Sequence, residues 1–190
     1  MFTAGFKAAS RHGALFFAII FCLVFPRMVS AAGRPGGPGG PAGHGGLEID
    51  FAGGSSLNGN GAGQAMILAA WQAPLYPDFL LRVEPTLEYI SAKGDTLWAG
   101  GSSLVARKLA HYKRLTVFVD MGAGANLISD SHFAGRRLGD HFMFDLILGG
   151  GFYLTDDISI SYRYRHLSNA GLFRYNDGID SYYILLGTGI

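Results

Sequence analysis

From Leu47 onward, apolar residues return at every second position in one segment after another. Leu47, Ile49 and Phe51 alternate with Glu48 and Asp50. Leu81, Val83, Pro85, Leu87 and Tyr89 alternate with Arg82, Glu84, Thr86 and Glu88. Leu115, Val117, Val119, Met121, Ala123 and Ala125 alternate with Thr116, Phe118, Asp120, Gly122, Gly124 and Asn126. Phe142, Phe144, Leu146 and Leu148 alternate with Met143, Asp145 and Ile147. Side chains switch faces at each residue of a strand, so each segment predicts a strand with one apolar face. Segments 63–72 and 96–109 are rich in Gly, Ala and Ser and alternate poorly; spacing alone places strands there. Further strands near 157–168 and 180–190 bring the count to eight.

Hydrophobic residues make up 49% of the 190 and charged residues 15%, yet no central segment is long and apolar enough for a membrane helix. The first 32 residues have the order of a secretory signal: Lys7 and Arg11, an apolar run from Ala14 to Phe25, then Val29-Ser-Ala-Ala32 with cleavage after Ala31 or Ala32. The apolar run is short for a retained membrane anchor, the alternative reading. Cys22, the sole cysteine, lies in that run without lipoprotein-type surroundings, so the mature chain has neither a disulfide nor a thiol nucleophile. Loss of Lys7, Arg11 and Arg27 leaves 12 basic residues against 14 acids, a formal charge of −2. That balance gives no basic face for nucleic acid. Residues 33–46, GRPGGPGGPAGHGG, read as a flexible linker, and its His44 has no second metal ligand nearby. Residues 47–190 form the remaining domain.

The charged faces decide the architecture. Turned outward, they would suit a soluble lipocalin-like barrel or sandwich, the alternative fold. Turned inward, they leave the apolar faces to meet lipid. A secreted chain with Tyr89, Trp98, Tyr153, Tyr162, Tyr164 and Tyr182 near strand ends fits the second arrangement, with aromatic girdles at the interfaces. Glu84, Glu88, Asp120, Asp145, Arg163 and Arg165 would pair in the lumen. The barrel must close, because an open edge in hydrocarbon leaves backbone groups unpaired. The expectation is all-β: an eight-stranded antiparallel transmembrane β-barrel of the bacterial outer membrane. With the first strand running outward, the inner connections 73–78, 111–114 and 155–157 are short, and the outer ones 53–62, 91–95, 128–140 and 169–179 are mostly longer, as in such barrels. The terminal Ile190 departs from the usual closing aromatic, but Tyr182, Ile184, Leu186, Thr188 and Ile190 still alternate toward lipid.

The strand near 157–168 ends in chemistry. Ile158, Ile160, Tyr162, Tyr164, His166 and Ser168 share one face; Ser159, Ser161, Arg163 and Arg165 share the other. His166 and Ser168 therefore sit past the tyrosines, on the lipid side of the outer rim. A histidine can take a serine proton if a carboxylate orients it. Asp180, opening the last strand, has the parity of that face; Asp177, in the intervening loop, is the competing acid. Spacing alone favours an interfacial histidine hydrogen-bonded to its neighbours over a catalytic one.

The stretch His166-Leu-Ser-Asn-Ala-Gly171, followed by Asn176-Asp-Gly178 and Asp180, resembles the lipid A 3-O-deacylase (PagL-like) family. The resemblance implies an outer-membrane serine esterase that removes the 3-linked hydroxyacyl chain of lipid A in the outer leaflet. It makes His166 the base, Ser168 the nucleophile and Asp180 the orienting acid, where family members carry the longer Glu. Asn169, with N–H groups around Ala170 and Gly171, and Asn176 become oxyanion and support groups. No metal or other cofactor is implied. Lys93, Arg136, Arg137 and Arg174 fall in outer loops, where they would contact lipid A phosphates or be solvated cations. The partners expected are the membrane and lipopolysaccharide, with a homodimer left open. The alternatives are a non-catalytic barrel with a structural or adhesion role, and a barrel phospholipase. The 59–63 glycine run lacks the strand–turn–helix context of a nucleotide loop, and Gly149-Gly-Gly151 suggests a bend or bulge.

Overall fold

The computed structural model describes residues 46–56 and 62–190. The expected signal segment 1–32, the linker up to residue 45 with His44, and residues 59–61 of the glycine run lie outside the described residues. Ten strands follow in order: β1 (Gly46–Ser56), β2 (Gly63–Tyr76), β3 (Phe79–Ala92), β4 (Asp95–Tyr112), β5 (Leu115–Ile128), β6 (His132–Phe133), β7 (Arg136–Arg137), β8 (Phe142–Tyr153), β9 (Ile158–Ser168) and β10 (Ile179–Gly189). Eight of them close into an antiparallel barrel in the order β1-β10-β9-β8-β5-β4-β3-β2, while β6 and β7 pair as a short ribbon in the β5–β8 connection. Each strand pairs with its neighbours along the chain, and β1 meets β10 from Glu48↔Gly189 to Ser56↔Ser181, so no edge is left open.

The two faces separate as their chemistry requires. Ile67, Leu87, Leu104, Met121, Leu146, Leu148, Ile184 and Leu186 are exposed on the outside. Glu48, Asp50, Arg82, Glu84, Glu88, Arg107, Asp120, Asp145, Arg163 and Arg165 are all buried inside. A soluble barrel has the reverse pattern, so the lipocalin-like alternative is excluded and the exterior is a lipid-facing band. Among the described residues no helix is long and apolar enough to cross a membrane.

An eight-stranded barrel is only wide enough for its own side chains, and this lumen is packed rather than open. Arg82 bonds Glu48 at 2.7 Å, Asp50 at 3.1 Å and Glu84 at 2.7 Å. Arg163 bonds Glu84 at 2.7 Å and lies 3.5 Å from Asp120, which Arg107 holds at 2.8 Å. Arg165 joins Glu88 to Asp145, the latter at 2.9 Å. The pairs expected among Glu84, Glu88, Asp120, Asp145, Arg163 and Arg165 form, and Arg82, Arg107, Glu48 and Asp50 extend them. Apolar layers lie on both sides of the charges. Leu80, Leu109 and Phe118 pack with Tyr153 toward the short-turn end, and Ile90, Leu97, Leu138, Met143, Leu167 and Ile179 fill the other.

Three expectations need correction. Tyr153 does not join a girdle; it lies on the inward parity of β8, where its hydroxyl accepts a 2.9 Å bond from Arg107 and its ring packs on Phe118. Gly149-Gly-Gly151 forms no bulge, because β8 keeps register with β5 and β9 through all three glycines. Their role is close approach: a Cβ at Gly151 would meet Ser161 Cβ at 2.6 Å. The 91–95 connection is tighter than its expected bounds. β3 and β4 pair up to Ala92↔Asp95, leaving Lys93 (φ 54°) and Gly94 (φ 87°) as a tight turn with both central residues left-handed. The long connections at that end of the barrel are β5–β8 and β9–β10, and both contribute to the site.

Candidate active site

β9 and β10 place the candidate residues by register. Asp180 pairs with His166, and one step inward Tyr182 pairs with Tyr164. A shared row on the outward face brings the carboxylate beside the imidazole, and His166 Nδ1 lies 2.6 Å from Asp180 Oδ1. A carboxylate only accepts, so Nδ1 carries the hydrogen, and in the neutral imidazole Nε2 is then the acceptor. The imidazole is 38% exposed and the carboxylate 29%, at the rim of the lipid-facing surface. Asp177, the competing acid, is occupied elsewhere: its Oδ2 accepts the Arg137 N–H at 2.6 Å.

Ser168 follows two residues beyond His166 on the same face, about 7 Å farther along the strand. Imidazole and hydroxyl thus face the same side, but no hydrogen bond joins them in the free protein. Catalytic bonds of this kind often tighten only when substrate binds.

Tyr164 is a member that sequence reasoning left in the girdle. Its hydroxyl donates to Asp180 Oδ1 at 2.7 Å, the same oxygen that His166 uses. Its ring packs on Tyr182 at 5.3 Å, which stacks on Tyr162 at 5.3 Å. The parity shared by positions 164, 166 and 180 was the signal available for it.

The β9–β10 loop is held by amides. The buried Asn169 donates through Nδ2 to Leu138 O at 2.8 Å and Tyr175 O at 2.5 Å, and its Oδ1 accepts the Gly171 N–H at 2.9 Å. Its own N–H donates to Asn176 Oδ1 at 2.8 Å. Asn169 and the Gly171 N–H, expected near an oxyanion, are here engaged in shaping the loop. Asn176 is fixed through Oδ1, and among the described residues its Nδ2 makes no hydrogen bond. Ala170 sits left-handed at φ 54°, and its N–H has no bond among the described residues.

The ribbon clamps the same loop from above. Arg136 Nη1 donates to Asp177 O and Gly178 O, each at 2.6 Å. Gly178, at φ 59°, lies against the imidazole: a Cβ there would stand 3.3 Å from His166 Cε1. Arg136, expected in contact with lipid A phosphate, here caps backbone carbonyls through Nη1. Arg137 and Arg174 both stack on Tyr175, at 3.9 and 5.4 Å from its centre, and keep exposed N–H edges. Neither Arg136 nor Gly178 could be placed from strand parity, because both lie in connections. Among the described residues no cluster of side chains could hold a metal ion. A groove of about 440 Å³ on the lipid face, lined by Phe51, Gly53, Ala65, Ile67, Tyr89 and Trp98, belongs to β1–β4 and takes no side chain from β9 or β10.

Residues 53–188 match the model of the family described as lipid A 3-O-deacylase (PagL). A protein of Bordetella bronchiseptica named lipid A deacylase PagL is 41% identical over 63 residues, covering 33% of this chain and 35% of that protein. A protein of the same name from Pseudomonas aeruginosa is 29% identical over 99 residues, covering 47% of this chain and 57% of that protein. The matched stretches thus span about a third and somewhat over half of these relatives. The crystal structure of the outer membrane enzyme PagL superposes with a TM-score of 0.68 at 20% identity, covering 75% of this chain and 99% of that one. A de novo designed transmembrane β-barrel superposes with a TM-score of 0.50 at 12% identity, covering 80% and 98%.

Proposed function

This chain belongs to the lipid A 3-O-deacylase (PagL) family, and from that premise we propose that it is an outer-membrane serine esterase that hydrolyses the 3-O-linked acyl chain of lipid A. The observation that carries the reading is the His166–Asp180 pair on the outward face, with Ser168 on the same strand edge. A buried lumen of ion pairs gives no route inward, so a substrate reaches this edge only from the membrane side.

Ser168 Oγ attacks the ester carbonyl as His166 Nε2 takes its proton. Asp180 keeps the hydrogen on Nδ1 and stabilises the imidazolium. The Asn176 Nδ2 donors and the Ala170 N–H support the oxyanion, as the groups of this loop left unused by its internal bonds. Collapse expels the 3-oxygen of the glucosamine, which receives the proton from His166. Water, deprotonated by the same nitrogen, then releases the hydroxy fatty acid and restores Ser168. The short reach of aspartate is compensated by the register, which sets its carboxylate 2.6 Å from the ring.

The long connections mark the outer end, which puts the site at the outer leaflet, where the acyl esters of lipid A lie near the headgroup boundary. Mass spectrometry of lipid A from cells expressing the wild type and Ser168→Ala tests the reading. Wild type should remove one hydroxyacyl group; Ser168→Ala and His166→Asn should leave lipid A intact. Unmodified lipid A with folded wild-type protein would instead favour the non-catalytic barrel, and release of fatty acid from phospholipid alone the phospholipase.

A further inference from the structure

We propose that Tyr164 is a positioning residue of this reaction: its hydroxyl anchors Asp180 so that one carboxylate oxygen stays on His166 Nδ1. The inference rests on the Ser168–His166–Asp180 chemistry proposed above. Asp180 Oδ1 receives two bonds, from Tyr164 at 2.7 Å and His166 at 2.6 Å. The two donors lie two residues apart on β9, and Asp180 stands directly across from His166. Tyr164 must therefore reach diagonally across the pair, a span open to a long aromatic side chain.

The ring is held for that reach. Tyr182, opposite Tyr164 in register, packs on it at 5.3 Å and is backed by Tyr162. This places the hydroxyl at the end of an aromatic stack rather than free at the interface. Asp180 lies at the edge of hydrocarbon, where water is scarce and an ionised carboxylate needs fixed donors. With the Tyr164 donor on the same oxygen as the imidazole, the carboxylate is held more firmly against rotation toward the headgroup water. Each such rotation would release the hydrogen that keeps His166 in the tautomer that accepts from Ser168. The hydroxyl donates to Asp180, and its effect on the reaction passes through that carboxylate.

The test measures kcat and KM of detergent-solubilised protein on lipid A for the wild type, Tyr164→Phe, Asp180→Asn, the double variant and Ser168→Ala. Phenylalanine keeps the ring stack, and folding is checked by the heat-dependent gel shift of the barrel. Tyr164→Phe should lower kcat about ten- to a hundredfold, the range of a hydrogen bond to a charged group, with KM unchanged. On the Asp180→Asn background the same substitution should cost nothing further. Wild-type kcat in Tyr164→Phe, a loss confined to KM, or a full additional loss on Asp180→Asn would overturn the proposal; where the double variant is too slow to measure, the single-variant kcat decides. The two readings separate at Ser168→Ala. An inert Ser168→Ala beside a fully active Tyr164→Phe refutes the anchor alone, whereas an active Ser168→Ala refutes the chemistry on which it rests.

Discussion

Replacing Arg165 by methionine should lower the stability of the barrel by about 3–5 kcal/mol, the usual cost of removing one partner from a buried ion pair. Arg165 is 1% exposed. Its guanidinium donates to Asp145 at 2.9 and 3.0 Å, to Asn126 at 2.8 Å and to Glu88. Methionine keeps much of the stem and none of the donors, so Glu88 and Asp145 remain buried without their counterion. Neutral donors soften the loss: the Tyr183 hydroxyl still reaches Glu88, and Ser103 still reaches Asp145 at 2.9 Å. The expected change thus falls near the lower end, about 3 kcal/mol, which is a large share of the 5–15 kcal/mol typical of a folded domain. Guanidinium unfolding in detergent, followed by the fluorescence of Trp71 and Trp98, should show a lower midpoint at unchanged slope. Adding Asp145→Asn should restore part of the loss by removing the charge that was stranded. A change below about 1 kcal/mol would refute the reasoning, because carboxylates that tolerate losing their arginine must already be hydrated.

Three further outcomes follow from the loop geometry. Gly178→Ala should reduce kcat about tenfold or more, because a left-handed alanine is strained and its Cβ would crowd His166 Cε1 at 3.3 Å; steady-state kinetics on lipid A reads the loss. Arg136→Ala should release the Asp177 and Gly178 carbonyls and lower kcat about tenfold, while Arg136→Lys, a single ammonium donor, should recover only part. Asp177→Ala should keep most of the turnover, whereas Asp180→Asn should lose about 10²–10⁴-fold, a contrast that equal losses in the two variants would contradict.

Strand parity carried most of this architecture. Glu84, Asp120, Asp145 and Arg163 were legible as lumen residues because each sits between apolar neighbours of opposite face. The Gly/Ala/Ser-rich strands were not, since small side chains mark neither face; β4 runs from Asp95 to Tyr112, beyond the range expected for it. Tyr153 misled because an aromatic near a strand end resembles a girdle residue, while its odd position in β8 already pointed it inward. The His166–Asp180 pairing was accessible for the same reason that Tyr164 was: one parity rule places all three. The connections obey no such rule. Asn169 has a side chain that can bond substrate or backbone, and only the fold shows that it takes Leu138 O and Tyr175 O. Arg136 likewise reaches Asp177 and Gly178 across some forty residues of chain, a contact that no local pattern encodes.

The central claim is that Ser168 is made nucleophilic by His166 on the membrane-facing edge of β9. The most direct measurement treats the purified barrel with a fluorophosphonate and maps the phosphonylated residue by peptide mass spectrometry. The account predicts a single adduct on Ser168, absent from His166→Asn. An unlabelled Ser168 in folded, lipid A-active protein, or labelling that persists without His166, would contradict it.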